Sequence, residues 1–123
     1  MAEKKALLGA ADVTVTLGAP DDREDYILKF RPIIPKTLCS AYGGLRPCLE
    51  KIQALDMNMM LQVIALGTDA KGKAARELDE RFWQTSVSDL IQPMTTFCLT
   101  LMNGGRSLTD AELDDDEASE GNE

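Results

Sequence analysis

Alternating apolar and polar positions near the start of the chain predict a β-hairpin. Val13–Leu17 reads Val-Thr-Val-Thr-Leu, the period-two pattern of a strand with one buried face. Residues 26–30 predict a second strand, and the intervening residues 18–25 form a polar segment rich in turn-forming residues. An isolated hairpin is marginally stable in water. We therefore expect this one to pack against the rest of the chain or to add its edge to another chain's sheet.

After the hairpin the apolar positions change to helical spacing. Pro35 suits the first position of a helix, so a short helix is predicted over residues 36–42, ending at Gly43-Gly44. A second helix begins around Leu45, with Pro47 in its first turn. Asp56 is a favourable N-cap for a third helix over 57–66, and Gly67 is expected to end it.

Two more helices complete the periodic part of the chain. Lys73–Trp83 places apolar side chains on one side and alternating charges on the other. The last helix, which ends before Gly104, has the strongest amphipathic pattern in the sequence. Ser86 and Asp89 have the spacing of a capping box at its start, and Pro93 predicts a kink or a short break within it.

These elements predict an α+β fold: an N-terminal hairpin followed by a small bundle of four to five short α-helices. Residues 1–106 are expected to form a single globular domain, with the hairpin at about 12–31 and the helices at about 35–104. Residues 107–123 have no hydrophobic periodicity and predict a disordered acidic tail.

The net charge of −8 belongs entirely to that tail. Residues 107–123 contain eight of the 21 acidic residues and no basic residue, which leaves 13 of each sign in residues 1–106. Nucleic-acid binding needs a clustered basic surface, and the sequence has none, so we expect no nucleic-acid partner. No apolar stretch is long enough to cross a bilayer or to form a signal-peptide core. The sequence therefore predicts a cytoplasmic protein without a membrane partner.

Candidate catalytic chemistry is sparse. The chain has no His to activate a serine, and its three cysteines lack the spacing of a zinc site. Cys39, Cys48 and Cys98 lie among apolar neighbours and are interpreted as buried, reduced thiols. We expect no enzymatic activity, no catalytic or metal-binding residue and no cofactor.

The methionines suggest two alternatives. In a chain with 5% aromatic residues they are ordinary core residues, but exposed methionines also suit partners of varied shape. On the second reading, some methionines and the apolar hairpin residues contact a protein partner. The candidate partner-binding residues are Met57, Met60, Met94, Met102, Val13, Val15, Ile27 and Leu28.

Four segments follow one another in a characteristic order: Val13–Leu17, residues 27–30 leading into 36–42, Gly43-Gly44-Leu45-Arg46-Pro47, and residues 101–106. This order resembles the tail assembly chaperones of long-tailed phages and gene transfer agents. The sequence departs from that pattern at Pro32 and Pro35, which leaves the start of the first helix open.

The resemblance implies a small cytoplasmic chaperone that is absent from the mature virion. Such proteins bind the tape-measure protein, keep it soluble and help recruit tail-tube subunits. Many also exist as a longer frameshifted product, and the tail after Arg106 is where this chain would differ from one. Two alternatives remain open: a structural virion component, such as a tail-tube or connector subunit that self-associates, and a regulatory adaptor that acts through its acidic tail.

Overall fold

The computed structural model describes residues 11–106, which form a two-stranded antiparallel sheet and five α-helices. The predicted acidic tail at 107–123 lies outside the described residues. The strands are β1, Val13–Leu17, and β2, Glu24–Leu28. The helices are α1, Ile33–Tyr42; α2, Leu45–Gln53; α3, Met57–Thr68; α4, Lys73–Trp83; and α5, Val87–Met102. The predicted α+β class and hairpin-then-helices order are confirmed.

The hairpin register separates an inner face from an outer face. Val13 pairs with Leu28, Val15 with Tyr26, and Leu17 with Glu24. Val15, Leu17 and Leu28 are buried, whereas Thr14 and Thr16 are exposed on the opposite face. The second strand begins two residues earlier than residues 26–30 predict. Its start is polar, so apolar alternation could not reveal it.

Helices cover the inner face of the hairpin and create the core. α5 packs against β1 and α2, and α3 packs against β2, α1 and α2. Phe82 and Phe97 are the largest buried side chains of the core, and its other hydrophobic members are aliphatic or sulfur-containing. Removing these apolar side chains from water is the main stabilising term of a domain this size.

Helix boundaries follow local chemistry, and several differ from the predictions. α1 begins at Ile33 because Pro35 then lies in the first turn, where a missing N–H costs no helical hydrogen bond. Asp56 caps α3 as predicted and accepts the Met59 N–H at 3.1 Å. The capping box at the start of α5 does not form, because the Ser86 hydroxyl lies 2.9 Å from the Ser88 hydroxyl instead.

Gly67 does not end α3 but lies inside it, against the hairpin. A Cβ atom there would come within 3.0 Å of Leu28 Cδ2, and the Gly67 carbonyl accepts the Lys29 N–H at 3.0 Å. The Arg31 guanidinium donates to the adjacent Leu66 carbonyl. The missing side chain therefore lets α3 approach β2 closely. Of the kink or short break predicted at Pro93, the break is absent, since α5 is continuous from Val87 to Met102.

Substitutions at Gly104 and Gly105 allow the energetic cost of backbone strain to be measured separately from the cost of steric overlap. Both have positive φ, +71° and +86°, but a Cβ on Gly105 would lie 2.5 Å from the Phe30 ring, whereas one on Gly104 meets nothing within 4 Å. We expect Gly104→Ala to cost about 1 kcal/mol, the strain of a left-handed residue. Gly105→Ala should cost a further ~1–3 kcal/mol, because Phe30 must move. Urea unfolding of both variants measures the difference, and equal costs would contradict the contact.

Candidate functional site

The open edge of β1 is identified by hydrogen bonds at the two ends of the hairpin. In antiparallel pairs, residues whose N–H and C=O groups point to the partner strand alternate with residues whose groups point away. The Gly18 N–H, beyond β1, donates to Thr85 Oγ1 at 2.8 Å, away from β2. The Lys29 N–H, beyond β2, bonds outward to α3. By alternation, Thr14 and Thr16 also direct their backbone groups away from β2.

This edge faces a groove whose opposite wall is α5. The groove has a volume of about 510 Å³, within the usual range for ligand pockets. Among residues 11–106, no other strand pairs with β1 on this side. The lining residues are Asp12, Val13, Thr14, Thr16, Arg23, Asp89, Gln92, Pro93 and Thr96. The groove thus combines backbone hydrogen-bonding groups with a mostly polar helical wall.

Arg81, on α4, holds the hairpin against that helix. Its guanidinium lies 3.1 Å from the Tyr26 hydroxyl, 3.4 Å from Glu24 and 3.8 Å from both Asp22 and Glu77. Burial raises the pKa of Tyr26, and the neighbouring guanidinium partly opposes that rise. Among the described residues, the one buried side-chain nitrogen or oxygen without a hydrogen-bond partner is Nε of Arg81. The cluster positions the hairpin, and its polar groups other than Arg81 Nε pair with one another.

The structure divides the eight candidate partner-binding residues in two. Met60, Met94, Val15 and Leu28 are buried in the core, so this folded domain offers no partner contact through them. Their apolar patterns reflect core packing, which periodicity alone could not distinguish from an interface. The four that remain accessible are Met102, which is exposed, and Met57, Val13 and Ile27, which are half-buried.

Other exposed apolar side chains were not recognised from the sequence. Ile33, Leu55 and Trp83 are 52%, 44% and 49% exposed. Leu55 also has a left-handed backbone, φ +63°, at the end of α2, where glycine is the usual residue. The one feature of the sequence that indicates this strained leucine is the absence of a glycine between α2 and the Asp56 cap. A strained leucine left in water is therefore a candidate contact residue.

The three thiols behave differently from one another. Cys48 and Cys98 are buried, as predicted, and donate to consecutive carbonyls, Gly44 at 3.4 Å and Leu45 at 3.7 Å. Cys39 is exposed, so its predicted burial is wrong: it lies on the solvent side of α1. In the described part of the chain, no group of three or more His, Cys, Asp or Glu side chains could hold a metal ion.

Comparison of the chain with protein-family models, with curated proteins and with solved structures finds no match. Within residues 11–106, no helix has the length and apolarity needed to span a membrane. The groove, the exposed apolar residues and the sequence resemblance are therefore the features that bear on function.

Amide hydrogen exchange tests the assignment of the β1 edge. We expect the Val15 and Leu17 N–H groups, which point to β2, to exchange at least about tenfold more slowly than those of Thr14 and Thr16, a difference of about 1.4 kcal/mol in local opening. Residue-resolved NMR measures this directly. The reverse order would show that the alternation is wrong, and equal protection would show that another segment covers the edge.

The buried Cys98 thiol predicts a pH dependence of stability. Burial, with a smaller contribution from Cys48, raises its pKa from 9.0 to about 11. The unfolded thiol ionises near pH 9 and the folded one does not. The free energy of unfolding should therefore fall as the pH rises from 9 toward 11. Cys98→Ala should show a shallower fall in urea unfolding than wild type, and the exposed control Cys39→Ala should keep the wild-type slope. Identical slopes for all three proteins would contradict the prediction.

Proposed function

We propose that this chain is a non-enzymatic chaperone of phage tail assembly. In this role it binds the tape-measure protein, keeps it soluble and helps recruit tail-tube subunits in the host cytoplasm, without remaining in the mature virion. The proposal is supported by the sequence resemblance, and the hairpin-then-helices order of the fold is compatible with it. Tape-measure proteins present long amphipathic helices, which aggregate when their apolar faces remain in water.

The observation that carries the proposal is the set of large apolar side chains that the fold leaves in water. Ile33, Leu55, Trp83 and Met102 are each more than 40% exposed. Scattered exposed apolar residues are common, but Leu55 adds a backbone strain that glycine would avoid. Each side chain can cover apolar surface on a helical partner. Repeated weak contacts along one long protein gain avidity without strong single sites.

The open β1 edge also favours one alternative, a structural virion component whose copies join by strand addition. The two roles differ in the finished particle. A chaperone leaves the assembly, whereas a tail-tube or connector subunit is present at a fixed stoichiometry. Mass spectrometry of purified particles distinguishes them, and a stoichiometric amount of this chain would favour the structural role. The adaptor alternative concerns residues 107–123, outside the described region.

Co-expression with the tape-measure-like protein encoded in the same gene cluster tests the chaperone proposal. We expect wild type to raise the soluble fraction of that protein several-fold. Leu55→Gly should keep or raise the free energy of unfolding, because glycine relieves the left-handed strain, but should lower the soluble fraction. Ala54→Gly is a neighbouring control that removes no large apolar side chain. If wild type leaves solubility unchanged, the proposal fails in its central claim.

A further inference from the structure

We propose that the groove between β1 and α5 binds an extended, basic polypeptide segment, which adds to the hairpin as a third strand. This inference rests on the proposed function only in that the chain works by binding another polypeptide. It names a surface and a chemistry that the tape-measure proposal does not require. The observations that carry it are the outward backbone of Thr14 and Thr16, the helical wall opposite, and the charges around the groove.

The strand edge determines that the occupant is extended. By alternation from Gly18, the N–H and C=O groups of Thr14 and Thr16 point away from β2, and both residues line the groove, so a segment in β conformation can pair with them there. An α-helical ligand has no free backbone groups along its length with which to bond them. Grooves formed by one strand edge and one helix are a recurrent arrangement for such binding: main-chain bonds supply affinity, and side-chain contacts supply specificity.

The α5 wall offers hydrogen-bond acceptors. Asp89 and Pro93 are one helical turn apart and both line the groove. Because proline has no N–H, the Asp89 carbonyl receives no bond from position 93. Asp89 and Gln92 are both exposed and line the groove, so a carboxylate and an amide add further acceptors to this wall. Lysine and arginine side chains are the donors that this wall suits.

The surrounding charge favours a basic occupant. The charged groups that line the groove are two carboxylates, Asp12 and Asp89, and one guanidinium, Arg23. Asp25 of β2 brings a third carboxylate close to the groove, because it accepts a hydrogen bond of 2.6 Å from the hydroxyl of the lining residue Thr16. An acidic segment would be repelled here, and a basic one attracted in a salt-dependent way. Alternate side chains of an added strand share a face, so a basic residue at every second position can reach Asp89.

The test uses a defined probe, a capped seven-residue peptide of alternating lysine and valine, with a glutamate–valine peptide as its matched control. NMR titration of the full chain is expected to shift the Thr14 and Thr16 amides and to slow their exchange at least about tenfold when the lysine peptide binds. The glutamate peptide should bind at least about tenfold more weakly, or about 1.4 kcal/mol. Equal binding of both peptides, or shifts confined to other surfaces, would overturn the proposal.

Two variants separate strand addition from simple charge attraction. Thr14→Pro removes an outward N–H and no bond to β2, so circular dichroism and thermal unfolding should show a folded protein. Peptide affinity should nevertheless fall at least about tenfold. Thr14→Val keeps the N–H and should bind within about twofold of wild type. If folded Thr14→Pro binds as wild type does, strand addition is wrong.

Asp89→Lys provides a second measurement that does not depend on tolerance of proline. It should reverse the preference, weakening the lysine peptide and strengthening the glutamate peptide; an unchanged preference would overturn the assigned chemistry. If neither peptide binds and sedimentation shows a dimer that Thr14→Pro abolishes, the occupant is a second copy and the proposal is wrong. None of these assays uses the tape-measure protein, so this inference and the proposed function can fail independently.

Discussion

The structure depends on the covering of one face of a two-stranded hairpin. Two short strands cannot bury enough apolar surface on their own, so Val15, Leu17 and Leu28 are protected because α3, α4 and α5 pack against the hairpin. The hairpin is therefore part of the helical core. Gly67 allows the close approach on the β2 side, where carbonyls of α3 accept hydrogen bonds from Lys29 and Arg31, just beyond the strand. The remaining helices pack around this contact.

Within residues 11–106, the same packing leaves the outer edge of β1 without a paired strand. On the β2 side, α3 packs against the strand and its Gly67 carbonyl accepts the Lys29 N–H. On the other side, a groove separates the outer edge of β1 from part of α5. Arg81 and Thr85 hold the loop end of the hairpin against α4, which keeps that edge in position. Proteins commonly block exposed strand edges to prevent aggregation. The β1 edge is instead held in position by packing and lined with polar residues, which distinguishes it from an edge exposed by chance.

Two kinds of surface then coexist on a small domain: an open strand edge with acidic surroundings, and separate apolar side chains such as Leu55 and Trp83. The first suits an extended basic segment, and the second suits apolar helical surface. A chaperone for a long protein can use both, because extended and helical parts of a client need different contacts. Neither surface depends on catalytic chemistry, and the proposals for them can be tested separately.

The sequence by itself was enough to predict the class, the order of elements, the Asp56 cap and the Gly43 helix end, because those features depend on local backbone and periodicity. It could not assign Met60 and Met94 to the core or Leu55 to the surface: a helical stripe shows which side chains share a face, but not whether another element covers that face. The role of Gly67 and the open edge of β1 were likewise decided by tertiary packing. Both depend on which helix lies beside which strand, a contact between residues far apart in the chain.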